Sequence, residues 1–158
     1  MRKILFLLVV SVATIGVLSI PKKIVVAPEV ANPAVIQQDI TNKVTAYLQS
    51  KNSPLSKDEV GLLVQQKHWK LLLAISAIES QYCKRQLGYN CWGIGGDSAY
   101  RHYNNFSEAI VDANNLIERW QKRGRWLTVD DMNCHYVVPC NENWVRVVNK
   151  VLSELENL

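Results

Sequence analysis

One carboxylate in this chain, Glu79, stands where an apolar run meets a glycine-rich turn. From Leu71 to Ile78 every residue except Ser76 is apolar, with no proline or glycine, as in a helix buried on most sides. Leu72, Ile75 and Glu79 fall at i, i+3 and i+7 and so share a face. Burial disfavours the charged form of a carboxyl. A glutamate placed this way holds its proton closer to neutral pH and can hand it to a leaving group. The competing role is structural: Glu79 would cap neighbouring backbone or pair with Lys84 or Arg85.

Three short motifs surround Glu79 in order. They are the helix end Ala74-Ile75-Ser76-Ala77-Ile78-Glu79-Ser80, the turn Asn90-Cys91-Trp92-Gly93-Ile94, and the segment from Tyr103 to Ile110 that opens a further helix. Together they resemble the bacterial glucosaminidase group of the lysozyme-like superfamily. The resemblance runs from Trp69 to Leu152, about half of the chain. It implies a mainly α, lysozyme-like fold and a hydrolase that cuts the glycan strands of peptidoglycan. The lytic transglycosylases share the Glu-Ser helix end, but their G-L-M-Q turn is absent here.

Glycoside cleavage needs an acid for the leaving oxygen and a second group that stabilises or attacks the oxocarbenium-like centre. Glu79 suits the first role. For the second, Asp97 follows the glycine turn directly, Asp112 lies on a helix, and Glu59 and Glu108 are accounted for by helix starts. In the glucosaminidase group that second group varies, and the acetamido oxygen of the substrate can assist. Sugar rings present apolar faces, so Trp92, Tyr100, Tyr103 and Tyr136 are the candidate substrate-binding walls, with core packing as the alternative for each. By resemblance, one of the tyrosines after the turn faces Glu79. Trp69, Trp120 and Trp144 fall on apolar helix faces and read as core. Ser80 has no His-Asp partner set, and His68, His102 and His135 are scattered, so no triad, metal site or cofactor is expected.

The elements that must position these residues are helical. Ile36, Ile40, Val44 and Tyr47 or Leu48 mark a helix from Ala34 to about Ser50, and Ser56 to Glu59 is a capping box opening another. Asn105 or Ser107 caps a helix that Gly124 ends, and the Lys122–Arg125 cluster reads as its C-terminus rather than a binding patch. Thr128 opens a short helix, and Trp144, Val147, Val148, Val151 and Leu155 line the last one. Ala99 to Tyr103 is a candidate small β-hairpin arm. Ahead of this domain (34–158), residues 1–20 read as a signal peptide or membrane anchor, with the apolar stretch at 4–20, and residues 21–33 as a proline-containing linker.

Four cysteines behind an export segment point to disulfides, and of the three possible pairings the sequence-local one, Cys83–Cys91 with Cys134–Cys140, is expected. Their spacing does not match the usual zinc-ligand pairs. The net charge of +4 owes two units to Arg2 and Lys3, too mild a balance to indicate nucleic acid. The expectation is an exported protein, periplasmic or at the cell surface, whose partner is the peptidoglycan glycan strand. A lytic transglycosylase, a catalytically silent wall-binding module and a purely structural envelope protein are the rivals.

Overall fold

Side-chain caps decide where most of the helices begin. In the computed structural model, which describes residues 32–95 and 99–158, the elements are α1 Pro33–Ser50, α2 Lys57–Val64, α3 Trp69–Ser80, α4 Phe106–Lys122, α5 Val129–Tyr136 and α6 Glu142–Glu156. Asn32, Asn105 and Asn141 each accept from an amide of the first turn, and Ser56 with Glu59 and Thr128 with Asp131 form complete capping boxes. These bonds satisfy amides that a helix start leaves without partners. The α4 cap is therefore Asn105, and Glu108 accepts from the amide of Asn104, both engaged as structural groups. Helix α3 is the exception. His68 gives it no side-chain cap, and the His68 amide bonds instead to Asn114 on α4 at 3.2 Å.

Helix α3 is the buried element, as its composition requires. Leu72, Leu73, Ala74 and Ile75 are all buried in the core, and α3 packs mainly on α6, with α4 and α2 beside it. The α6 face that meets this core carries Trp144, Val148, Val151 and Leu155. Full burial of a Leu or Ile side chain stabilises by roughly 1.5–3 kcal/mol, so α3 and α6 hold each other in place. Both disulfides of the sequence-local pairing are present, Cys83–Cys91 and Cys134–Cys140.

The hairpin arm expected at Ala99 to Tyr103 does not form: the described residues contain no strand, and an isolated bridge joins Leu87 to Asn90. The arm is held by single backbone bonds, Arg101 to Ile94 at 3.0 Å and Tyr103 to Gly88 at 2.9 Å, which go to two different segments and cannot build a ladder. The segment expected as a signal or anchor (1–20), the linker up to residue 31, and residues 96–98 lie outside the described residues. Among the described residues no helix is long and apolar enough to cross a membrane.

Candidate functional site

Glu79 sits in the last turn of α3, and the chain beyond it is bent sharply. Gln81, Tyr82 and Cys83 all have positive φ, between 53° and 68°, a region costly for residues with a side chain. Ser80 secures this bend. Its buried hydroxyl donates to the Cys91 carbonyl at 2.8 Å and accepts from the Cys83 amide at 3.0 Å, and the Cys83–Cys91 bridge closes the same loop. The serine of the Glu-Ser pair is thus a clip between the helix end and the following turn.

That turn is organised by Asn90, which is buried. Its Oδ1 accepts from the amides of Trp92 and Ile94, and its Nδ2 donates to the carbonyls of Ile94 and Arg101. An amide side chain is needed because the turn presents both donors and acceptors. The result brings Gly93 against Glu79. Gly93 has a φ of +63°, and a Cβ built there would stand 3.1 Å from Glu79 Oε2, so the turn backbone forms one wall beside the carboxyl.

The other carboxylate oxygen has a side-chain partner. Trp144 Nε1 donates to Glu79 Oε1 at 2.8 Å. Trp144 is the third residue of α6, and its own placement is local in origin: Asn141 caps it, and the Asn141 amide bonds to Asn133 on α5 at 2.8 Å. The Cys134–Cys140 bridge spans the same connection. Each disulfide therefore fixes one side of Glu79. The Glu79 side chain still reaches solvent and, among the described residues, enters no ion pair; Lys84 and Arg85 are exposed and unattached to it. The surrounding protein desolvates the carboxyl and raises its pKa above the ordinary glutamate value, with the Trp144 N–H opposing in part.

The expected wall residues divide. Tyr136 is at the site: its hydroxyl donates to the Trp92 carbonyl and its ring packs at 5.5 Å from that of Trp144. Its pKa is pushed up by burial first and then by the Glu79 charge. The Tyr100 hydroxyl donates to the Asn90 carbonyl at 3.1 Å; burial raises its pKa, a backbone hydrogen bond at Leu87 opposes this, and the Glu79 charge adds to the rise. Tyr103 is tied elsewhere, donating to Asp112 Oδ2 at 2.8 Å, where Arg101 also pairs at 2.5 Å. Trp92 is not a wall at all: it is 1% exposed, and its Nε1 donates to the Leu72 carbonyl at 2.8 Å, which makes it core. Asp97 lies outside the described residues.

Trp144 is the residue at this site that sequence reading misplaces. Its position on an apolar helix face is correct, and it is buried, but the edge of the ring carries the donor to Glu79. Only the pairing of α3 with α6 reveals that. A hollow of about 420 Å³ opens beside this group, lined by Gly93, Gly95, Trp126, His135, Tyr136 and Val138 among others. A larger one of about 520 Å³ lies between α1 and α2, but it contains neither Glu79 nor its aromatic partners, so its size carries no chemistry. No group of three or more potential metal ligands occurs among the described residues. No family model, curated protein or solved structure matches this chain.

Proposed function

We propose that this domain cleaves glycosidic bonds in the glycan strands of peptidoglycan, with Glu79 as the general acid. The observation that carries the reading is the state of Glu79. It is reachable by solvent, desolvated enough to favour its proton, bonded by the Trp144 N–H and paired with no cation among the described residues. A carboxyl locked against Arg85 would instead have favoured a silent binding module. In the proposed reaction the Glu79 proton passes to the leaving glycosidic oxygen as the C–O bond breaks, and positive charge develops at the anomeric carbon. The Gly93 backbone borders that space. The two disulfides support action in an oxidising compartment, outside the cytoplasm.

No second carboxylate among the described residues perturbs Glu79. The substrate can also supply the second group: its acetamido oxygen, or its own hydroxyl in the transglycosylase variant. Asp97 is retained as the protein's own candidate for that role. The test is digestion of purified sacculi by the oxidised full chain beside Glu79→Gln, with products read by mass spectrometry. Glu79→Gln is expected to lose at least about 10²-fold of the rate. A reducing N-acetylglucosamine end identifies a glucosaminidase, a reducing muramic acid end a muramidase, and an anhydro end a transglycosylase. Binding without cutting by both proteins would overturn the catalytic reading in favour of a wall-binding module.

A further inference from the structure

The hollow lined by Gly93 adjoins another. The hollow beside Gly93 shares Trp126 and His135 with a second hollow of about 260 Å³, whose lining also includes Arg125, Leu127 and Asp131. The two hollows therefore adjoin at Trp126 and His135, one bordered by Gly93 next to Glu79 Oε2 and the other at the end of α4. Of an aromatic cluster beneath them, Tyr136 and Trp126 contribute to the lining. Trp144 meets Tyr136 at 5.5 Å, Tyr136 meets Trp126 at 5.6 Å, and Trp126 stacks on Trp120 at 5.1 Å with 23° between their planes.

The far end is cationic. The guanidinium groups of Arg123 and Arg125 lie over the Trp120 ring, at 5.6 and 5.1 Å from its centre. Neither enters an ion pair among the described residues. Asp131, which lines the same hollow as Arg125, accepts from the Thr128 amide at 3.0 Å in its capping box and makes no ion pair with either arginine. Stacking on an indole holds a guanidinium in place while leaving its in-plane N–H groups free to bind a carboxylate. Leu127 and Val138, exposed at 65% and 82%, add apolar surface to the same two hollows. The Lys122–Arg125 cluster does terminate α4, and it also places Arg125 in the lining of the second hollow.

We infer that the adjoining hollows from Tyr136 to Arg125 are a second binding subsite, which takes a saccharide unit carrying a carboxylate substituent, with Arg125 receiving the carboxylate. This rests on the glycan-strand reading of the Glu79 site and narrows its substrate to acidic, substituted amino-sugar chains. On peptidoglycan strands the carboxylate comes either from the lactyl ether of the sugar itself or from an attached stem peptide.

The test measures binding with the full, oxidised chain in a Glu79→Gln background, so that no bond is cut. Three ligands of matched length are titrated calorimetrically: a neutral N-acetylglucosamine oligomer, strands stripped of peptide by an amidase, and strands with stem peptides intact. The substituted strands should bind tighter than the neutral oligomer. Arg125→Gln should lower affinity for them about three- to fivefold, the scale of an exposed charge pair, and leave the neutral oligomer unchanged. A loss confined to stripped strands assigns the lactyl carboxylate, which the stem peptide's amide bond consumes in intact strands; a loss confined to intact strands assigns a peptide carboxylate, and equal losses on both show that Arg125 takes either. An Arg125→Gln effect that is absent, or equal on all three ligands, overturns the inference, as does binding of none of them. Cleavage by the parent protein is scored separately. A carboxylate preference without cleavage leaves this subsite standing and removes the enzyme; cleavage indifferent to Arg125 does the reverse.

Discussion

Trp144→Phe isolates the one side-chain hydrogen bond made to the Glu79 carboxylate among the described residues. The substitution keeps an aromatic ring between Tyr136 and the core and deletes the Nε1 donor that lies 2.8 Å from Oε1. An N–H aimed at a carboxylate stabilises the charged form, so this bond holds the Glu79 pKa down against the burial that raises it. Its removal moves the pKa further up. The stability cost has two parts. Water reaches Glu79 and replaces the lost donor, which limits that part to about 1 kcal/mol. Trp144 is 2% exposed, so the smaller ring leaves a gap on the order of 40 Å³, or about another 1 kcal/mol. The sum of about 2 kcal/mol lowers Tm by roughly 5–10 °C in a domain of this size. The assay is a carbon-13 NMR titration of the Glu79 carboxyl, run beside the pH dependence of sacculus digestion. Both the titration and the alkaline limb of the rate profile should move to higher pH. A folded Trp144→Phe protein whose Glu79 titrates unchanged, or at lower pH, would refute the reasoning.

Three further outcomes follow from the same geometry. Glu79 has a folded pKa above its unfolded value, so its contribution to stability is fully present below the unfolded value and is lost as pH rises through the folded one. The stability difference between parent and Glu79→Gln should therefore tilt toward the glutamine variant as pH rises, and denaturant titrations showing a pH-independent difference would contradict it. Gly93→Ala puts a Cβ 3.1 Å from Glu79 Oε2 at a φ of +63°; about 1–2 kcal/mol of stability should go, and digestion should fall at temperatures where the variant is fully folded. Normal activity in that variant would show that the turn backbone does not set the carboxyl's position. Ser80→Ala strands the buried Cys91 carbonyl and Cys83 amide, at a cost of about 2–3 kcal/mol by urea unfolding; a loss below 0.5 kcal/mol, on the order of a neutral surface change, would deny the serine its role as a clip.

What could be read from the sequence was what local chemistry decides. The capping boxes at Ser56 and Thr128 lie three residues from their partners, and each disulfide closes a loop of a few residues, so the pattern itself is visible in the chain. Glu79 was legible because the apolar run leads into it. Trp92 and Trp144 were not, because both tryptophans are buried and only their donors separate them: one bonds a helix carbonyl 20 residues back, the other a carboxylate 65 residues away. Tyr100 and Tyr103 are three residues apart, and their division between the Asn90 carbonyl and Asp112 depends on where α4 lies. The hairpin failed for a related reason. Its two ends bond to different segments, which alternation of residue types does not encode.

The strain after α3 bears directly on why Glu79 enters no ion pair among the described residues. A helix continued past Ser80 would carry Cys83 one turn above Glu79, with Lys84 next to it, near enough to compete for the carboxylate. Instead three consecutive residues take left-handed backbone, at roughly 1–2 kcal/mol each, and Lys84 and Arg85 emerge into solvent. The Cys83–Cys91 bridge, on the order of 2–3 kcal/mol for so short a loop, and the two Ser80 hydrogen bonds, about 1 kcal/mol each, are of the size needed to hold such a bend. A nearby ammonium or guanidinium would favour the charged carboxylate and undo the effect of burial. The bend, the bridge and the serine thus act on the Glu79 proton without touching the carboxyl, by keeping the two closest basic side chains in sequence turned away from it.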